Sequence, residues 1–264
     1  MKKLGLLLFV LTNITFGKIL EINVGTGVRN INQEINLYYI KKSSLISAKV
    51  KPTKVKFDKK NTSFIYGKLD IPLMPAIEFK YLEYTLHAFL SSSLSFYFGN
   101  IQIEDTKADI NLDQNTKELN LDIYYSLPFL NFLKLGAGTN ILDVNLKAQA
   151  KFENGTSQEE NYNFTLPILY IYSSLNFDIN KFIFNVNFRY LPKVNIEDYN
   201  IEYLSISPQI GYKILSLPTI NFITYSNYEY SNLKIIKESN SSDKFYFEKK
   251  NSNFEIGGFL NLGF

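Results

Sequence analysis

The sequence predicts an all-β fold: an antiparallel, up-and-down transmembrane β-barrel of about ten strands, with short periplasmic turns and long extracellular loops. Three features point to it. Apolar and polar side chains alternate with period two through most of the chain, the mark of strands with two unlike faces. Several alternating runs reach about 10 residues or more, the length a tilted strand needs to cross a bilayer. Between the runs, short and long connections take turns without exception, as expected where one rim carries tight turns and the other long loops.

Composition narrows the function classes. Apolar residues make up 45% of the 264 and charged residues 20%, a balance that excludes disorder. The chain has no Cys, which removes disulfide frameworks, thiolate metal sites and cysteine nucleophiles together. A single His removes sites that need several imidazoles. A net charge of +3 gives no argument for nucleic acid. After the first 17 residues no apolar run is long enough to cross a bilayer as a helix.

Residues 1–17, MKKLGLLLFVLTNITFG, have the form of a secretory signal peptide. Lys2 and Lys3 make the basic front, Leu4 to Leu11 the short apolar core, and Thr15 and Gly17 suit a cleavage site. Its removal leaves 26 basic groups (28 less Lys2 and Lys3) against 25 acidic. An exported chain without cysteine fits a bacterial envelope, so the expected address is the Gram-negative outer membrane, with residues 18–264 as one barrel domain.

Ten strands are expected at about 18–28, 63–73, 76–90, 117–126, 131–150, 163–178, 181–191, 199–215, 218–236 and 252–264. In 119–126, Leu119, Leu121, Ile123 and Tyr125 share one face against Asn120, Asp122 and Ser126. In 181–190, Phe182, Phe184, Val186, Phe188 and Tyr190 oppose Asn185, Asn187 and Arg189. In 203–214, Leu204, Ile206, Pro208, Ile210, Tyr212 and Ile214 oppose Ser205, Ser207, Gln209, Gly211 and Lys213. The last run sets Phe254, Ile256, Leu260, Leu262 and Phe264 against Glu255, Gly257, Asn261 and Gly263. A helix would need spacings of three and four, and none of these windows carries a continuous stripe at that period.

Four connections are short: Leu73–Pro75, Leu127–Leu130, Asp178–Asn180 and Ser216–Leu217. Five are mostly longer and polar, at about 29–62, 91–116, 151–162, 192–198 and 237–251. In hydrocarbon each unpaired backbone group costs several kcal/mol, so an open sheet edge cannot persist there and the first strand is expected to pair with the last. Tyr125, Tyr170, Tyr172, Tyr190 and Phe264 near strand ends suit interfacial aromatic girdles.

The closing run FEIGGFLNLGF, with apolar residues at every second position before Phe264, resembles the C-terminal strand signature read by the outer-membrane barrel assembly machinery. That resemblance implies insertion by that machinery through Phe264. The segments LDIYYSLP, LPILYIYSSLNFDI and YLSISPQIGYKI resemble a small family of bacterial outer-membrane β-barrel proteins over roughly residues 60–264, and FYFGNIQI at 96–103 is similar to its first long hairpin. The resemblance implies fold and address and no chemistry. Residues 29–60 depart most from it.

If the apolar phase faces lipid, Glu21, Lys68, Asp70, Glu78, Lys80, Asp122, Lys134, Arg189, Gln209, Lys213 and Glu255 point inward. Buried charges need partners, and ten strands enclose a lumen close to what side chains can fill. A salt-bridged plug is therefore expected rather than a wide pore.

No catalytic, cofactor or metal site is expected. The alternative is a lipid- or peptide-hydrolysing enzyme using His87 near the outer rim, with Ser91, Ser92 and Ser93 or the acids Asp105, Asp109 and Asp113 close by. A nucleophile needs a base within hydrogen-bond reach, and no nucleophile-elbow pattern is present. The three Asp at four-residue spacing do not match a calcium loop. Residues 29–62 hold Arg29, Lys41, Lys42, Lys49, Lys51, Lys54, Lys56, Lys59 and Lys60 against Glu34 and Asp58, a basic loop suited to lipopolysaccharide phosphates. Alternation in 47–57 suggests that the strand ladder extends above the membrane. The expected partners are outer-membrane lipid, lipopolysaccharide and the assembly machinery, with no nucleic acid, around a monomer. The expected role is structural, surface interaction or narrow transport of small solutes.

Overall fold

The computed structural model describes residues 20–41, 50–71, 74–91, 95–103, 108–127, 130–196, 198–237 and 243–263. The expected signal peptide and Phe264 lie outside the described residues. Those residues form fourteen strands: β1 (Glu21–Ile31), β2 (Gln33–Ile40), β3 (Thr53–Lys56), β4 (Lys60–Asp70), β5 (Ala76–Ser91), β6 (Phe96–Phe98), β7 (Ile101–Ile103), β8 (Ala108–Leu127), β9 (Leu130–Phe152), β10 (Ser157–Ile179), β11 (Phe182–Ile196), β12 (Tyr199–Ser216), β13 (Ile220–Lys237) and β14 (Lys244–Gly263). The expected count of about ten is thus corrected to fourteen. Ten of them, β1, β4, β5 and β8 to β14, fall on the windows read from the sequence. The additional four lie within the long connections, β2 and β3 in 29–62 and β6 and β7 in 91–116; β3 falls where alternation in 47–57 extends the ladder, and β6 and β7 form the hairpin expected at 96–103.

All fourteen belong to one sheet, whose main path runs β1-β4-β5-β8-β9-β10-β11-β12-β13-β14-β2-β6-β7. β1 also pairs β14 antiparallel, from Glu21↔Gly263 to Asn30↔Phe254. β2 continues the line of β1 beyond Asn32 and pairs the upper part of β14, from Gln33↔Asn251 to Ile40↔Lys244. Among the described residues the one parallel contact joins β2 to β6 at Tyr39↔Phe98. Tight turns close the hairpins. Asn180 takes φ 57 between β10 and β11, a left-handed conformation that Asn tolerates better than most residues. At the opposite rim Gly155 takes φ 83, and the Asn154 side chain accepts the Thr156 amide at 3.0 Å. The stretch 151–162, read as a long loop, is therefore a tight turn on top of two long strands.

The long strands β8 and β9 change character along their length. On β8, Ala108, Ile110 and Leu112 are buried while Asp109 and Asn111 are exposed. Farther along the same strand the buried positions are Glu118, Asn120 and Asp122, and the opposite face carries Leu119, Leu121, Ile123 and Tyr125. Parity is kept while polarity inverts. β9 repeats this: Leu142, Val144, Leu146 and Ala148 are buried against Asp143, Asn145 and Lys147, whereas Leu135 and Ile141 are exposed lower down. The upper half encloses an apolar core, joined by Phe96, Phe98, Phe245 and Phe247. The lower half has a polar interior and an apolar outside. The expected aromatic girdle is corrected accordingly: Tyr125 and Tyr190 face out, but Tyr170 and Tyr172 are buried inside, because their parity is that of Ser174 and Asp178.

Two neighbouring strand pairs separate toward the upper rim. The β4–β5 ladder ends at Phe64↔Leu82, yet Thr62 Oγ1 donates to the Glu83 carbonyl at 2.7 Å and the Asp58 amide to the His87 carbonyl at 2.9 Å. The β10–β11 ladder ends at Ile171↔Tyr190, beside Pro192, whose nitrogen has no proton to donate. Above it β10 pairs only β9, from Ser157↔Lys151 upward of Leu175↔Leu133. Among the described residues no hydrogen bond joins 157–170 to 191–199. Tyr162, Phe164 and Leu166 on one bank and Leu191, Val194 and Tyr199 on the other are only half-buried.

Candidate functional site

The lower interior holds a cavity of about 530 Å³. Ten of the eleven side chains expected to point inward line it; Asp70 is the exception and instead pairs Lys68 at 3.0 Å. Exposure decides where the cavity opens. Asp178 and Lys213, which pair at 2.7 Å near the short turns, have side chains 58% and 23% exposed. Arg189, deeper, falls to 10% and Glu255 to 0%. The cavity therefore opens at the short-turn rim and ends beneath the apolar core.

Its floor is an ion cluster. The Arg29 guanidinium donates to Glu255 and lies 3.2 Å from Glu229. Lys80 Nζ reaches both Glu255 carboxylate oxygens at 2.5 Å, and Asn227 donates to the same carboxylate at 3.1 Å. The cluster draws on β1, β5, β13 and β14. Above it Lys249 lies 3.5 Å from Glu118 and donates to the Tyr84 hydroxyl at 3.0 Å, while Asn120 and Asn140 donate to Glu118 at 3.1 and 3.3 Å. On the far wall Arg189 holds Asp122 in a fork at 2.7 and 3.3 Å, and Tyr170 donates to Asp122 at 2.8 Å. Buried charges survive only when paired and hydrogen-bonded. The salt-bridged plug expected from sequence is present, with members that the sequence reading placed elsewhere. Arg29 and Lys249 fall in the stretches 29–62 and 237–251 expected as loops. Each continues the inward parity of its strand, Arg29 that of Glu21 and Lys249 that of Glu255, and that parity was the signal available for both.

The basic loop is corrected with it. Arg29 is buried in the barrel because β1 runs on to Ile31. Lys54 is bridged to Glu34 at 2.9 Å and Lys41 to Glu160 at 2.9 Å. Lys51, Lys56, Lys59 and Lys60 remain exposed on the outer surface; Lys42 and Lys49 lie outside the described residues.

His87 sits on the outer wall of β5, opposite Asp113 of β8. Its Nδ1 is 2.7 Å from Asp113 Oδ1, and the imidazole is 64% exposed. Asp109 and Asp113 belong to strand β8 rather than to a loop and share its outward face. Ser92, Ser93 and Asp105 lie outside the described residues, and nothing is described of the Ser91 side chain. The structure thus joins His87 to one acid, on a surface remote from the cavity. Among the described residues no cluster of three or more His, Asp or Glu is placed to hold a metal.

Ionisation in the upper half follows local contacts. Burial and the neighbouring Glu248 push the Tyr246 hydroxyl up to about 12. Burial pulls the Glu248 carboxyl upward, but hydrogen bonds from Lys250, Asn36 and Tyr246 outweigh it and hold the group below its ordinary value. Burial and a hydrogen bond to Asp243 at 2.9 Å raise the Tyr39 hydroxyl.

No protein-family model matches the chain, and no curated protein matches it. The solved structures similar to it include bacterial outer-membrane proteins. The outer membrane protease OmpT from Escherichia coli is 14% identical, over 92% of this chain and 97% of that one, with a TM-score of 0.49. The attachment invasion locus protein Ail of Yersinia pestis is 8% identical, over 92% and 99%, with a TM-score of 0.32. The outer membrane protein OprG from Pseudomonas aeruginosa is 12% identical, over 93% and 97%, with a TM-score of 0.35.

Proposed function

We propose that the chain is an integral outer-membrane β-barrel that crosses the bilayer with ten strands (β1, β4, β5 and β8 to β14), sealed at its outer end, non-enzymatic, with a surface-interaction role. The observation that carries this reading is the inversion along β8: outward Leu119, Leu121, Ile123 and Tyr125 make a belt for hydrocarbon, while outward Asp109 and Asn111 suit water. A soluble barrel would have no reason to turn its apolar side outward for half its height. The β1–β14 pairing supports closure in lipid, since it leaves neither β1 nor the lower part of β14 with a free edge. The rim that carries the cavity mouth faces the periplasm in this reading, and the exposed lysines 51, 56, 59 and 60 meet lipopolysaccharide phosphates.

The apolar core above the ion cluster argues against solute passage, since Leu112, Val144, Leu146 and Phe247 are buried there together. The unpaired upper edge of β10 favours surface interaction: a free strand edge offers backbone donors and acceptors to an extended peptide. Envelope fractions run on gels before and after boiling test the reading. The unboiled protein should migrate differently from the boiled form and fractionate with the outer membrane. Planar-bilayer recordings should show no conductance steps, and steady steps would replace the sealed barrel with a channel.

The enzyme reading rests on the His87–Asp113 contact of 2.7 Å. Hydrolysis of lipid or peptide by the purified protein that disappears in His87→Ala would establish it. Absence of hydrolysis in the parent protein would end it.

A further inference from the structure

The lower interior contains many ionic groups, and nearly all are bridged to an opposite charge: Arg29 and Lys80 to Glu255, Arg189 to Asp122, Lys213 to Asp178, Lys68 to Asp70. Two groups on the cavity wall depart from this pattern. Lys134 of β9 has no carboxylate within 4 Å among the described residues, and Glu78 of β5 has no cation within that distance. Both line the cavity, and both flank one side chain of the intervening strand β8. Glu78 accepts the Tyr124 hydroxyl at 3.1 Å. Lys134 Nζ lies 5.1 Å from the centre of the Tyr124 ring. Tyr124 is itself stacked on Tyr172 at 5.1 Å and is buried, so the ring between the two charges is held in place.

Neither group is directly bridged: the opposite charges around them, Glu78, Asp70 and Glu21 for Lys134 and Lys68 for Glu78, act from beyond ion-pair distance, so each keeps hydrogen-bonding capacity open to the cavity. Water alone compensates such groups poorly in a confined site. A solute with a carboxylate and an ammonium a few atoms apart would bridge both directly, and its net charge of zero matches a cavity in which the remaining ionic groups are already paired. Gln209, Asn176 and Asn185, from β12, β10 and β11, also line the cavity and can accept from and donate to the amide of such a solute. The cavity is large enough for a ligand of this size, since small-molecule sites begin at about 300 Å³.

We propose that the cavity is a binding site for a small zwitterion of the amino-acid or short-peptide class, its carboxylate on Lys134 and its ammonium on Glu78. The site rests on the barrel reading above, because the cavity must be open to the periplasm while its outer end stays sealed. Calorimetric titration of the purified, detergent-folded protein with glycylglycine tests it. Saturable binding is expected, weakened by about tenfold or more with N-acetylglycine, which keeps only the anion, and with glycinamide, which keeps only the cation. Lys134→Met and Glu78→Gln should each weaken glycylglycine binding about as much, and the exchange of both charges, Lys134→Glu with Glu78→Lys, should restore it. Heat-modifiability on gels checks that each variant folds. No saturable binding to a protein that is heat-modifiable would overturn the site and leave the barrel reading intact. Equal affinity for N-acetylglycine, or binding indifferent to both single variants, would overturn it as well. Loss of heat-modifiability in the parent protein would instead sink the barrel reading.

Discussion

The upper and lower halves of β8 have the same parity and opposite chemistry. From Ala108 to Leu112 the strand hides its aliphatic residues and shows its carboxylates; from Glu118 to Asp122 it hides its carboxylates and amides and shows Leu119, Leu121 and Ile123. Neither half changes the direction of its side chains. What changes is the polarity of each face. In the upper half, burial of aliphatic surface from water stabilises the barrel wall at roughly 25 cal/mol per Å². In the lower half, on the membrane reading proposed above, that driving force is absent because hydrocarbon lies outside, and cohesion of the interior comes from paired charges and hydrogen bonds.

Substitutions can break that contrast in four ways, in decreasing size. Glu255→Leu strands Arg29 and Lys80 without their shared carboxylate. Removing one partner of a buried pair costs about 3–5 kcal/mol, read as a lowered midpoint in urea unfolding from lipid vesicles. Leu146→Ala opens a void in the apolar core, with an expected loss of about 2–5 kcal/mol by the same measurement and no change in the lower half. Leu121→Arg places a charge in the hydrocarbon belt and should cost about 2–4 kcal/mol if the position is near mid-bilayer. A near-neutral outcome there would mean that the belt does not face lipid. His87→Ala, on the wet upper wall, should shift stability by no more than about 1 kcal/mol, as for exposed ion pairs.

Acidity sharpens the comparison further. Glu248 in the upper half has a carboxyl held below its ordinary value. Its contribution is present above the ordinary carboxylate range and is lost as pH falls through the depressed value. Acid unfolding followed by tyrosine fluorescence should therefore move to higher pH in Asn36→Ala, which removes the 2.9 Å donor to Glu248. An unchanged acid midpoint would assign the bond no weight.

Strand identity and sidedness were legible because period-two alternation is a property of neighbouring residues. The ten windows and ten of the eleven inward side chains follow from it. The upper part of β8 is less legible for a particular reason: Ala108, Ile110 and Leu112 alternate with Asp109, Asn111 and Asp113 just as regularly, but with the apolar set on the phase that is polar lower down. Read with one fixed apolar phase, such a stretch looks like a polar loop. Arg29 and Lys249 lie just beyond the windows 18–28 and 252–264, although each continues the inward parity of its strand.

The sequence by itself determined that this chain makes long antiparallel strands and which side chains share a face, since backbone geometry sends successive residues to opposite sides whatever surrounds them. Only the tertiary structure decided which charges meet. Arg29 and Glu255 stand 226 residues apart, and their contact exists because β1 lies beside β14. It also decided where each face changes polarity relative to the interior, because that depends on height along a wall built by many strands together, a quantity no single run of residues contains.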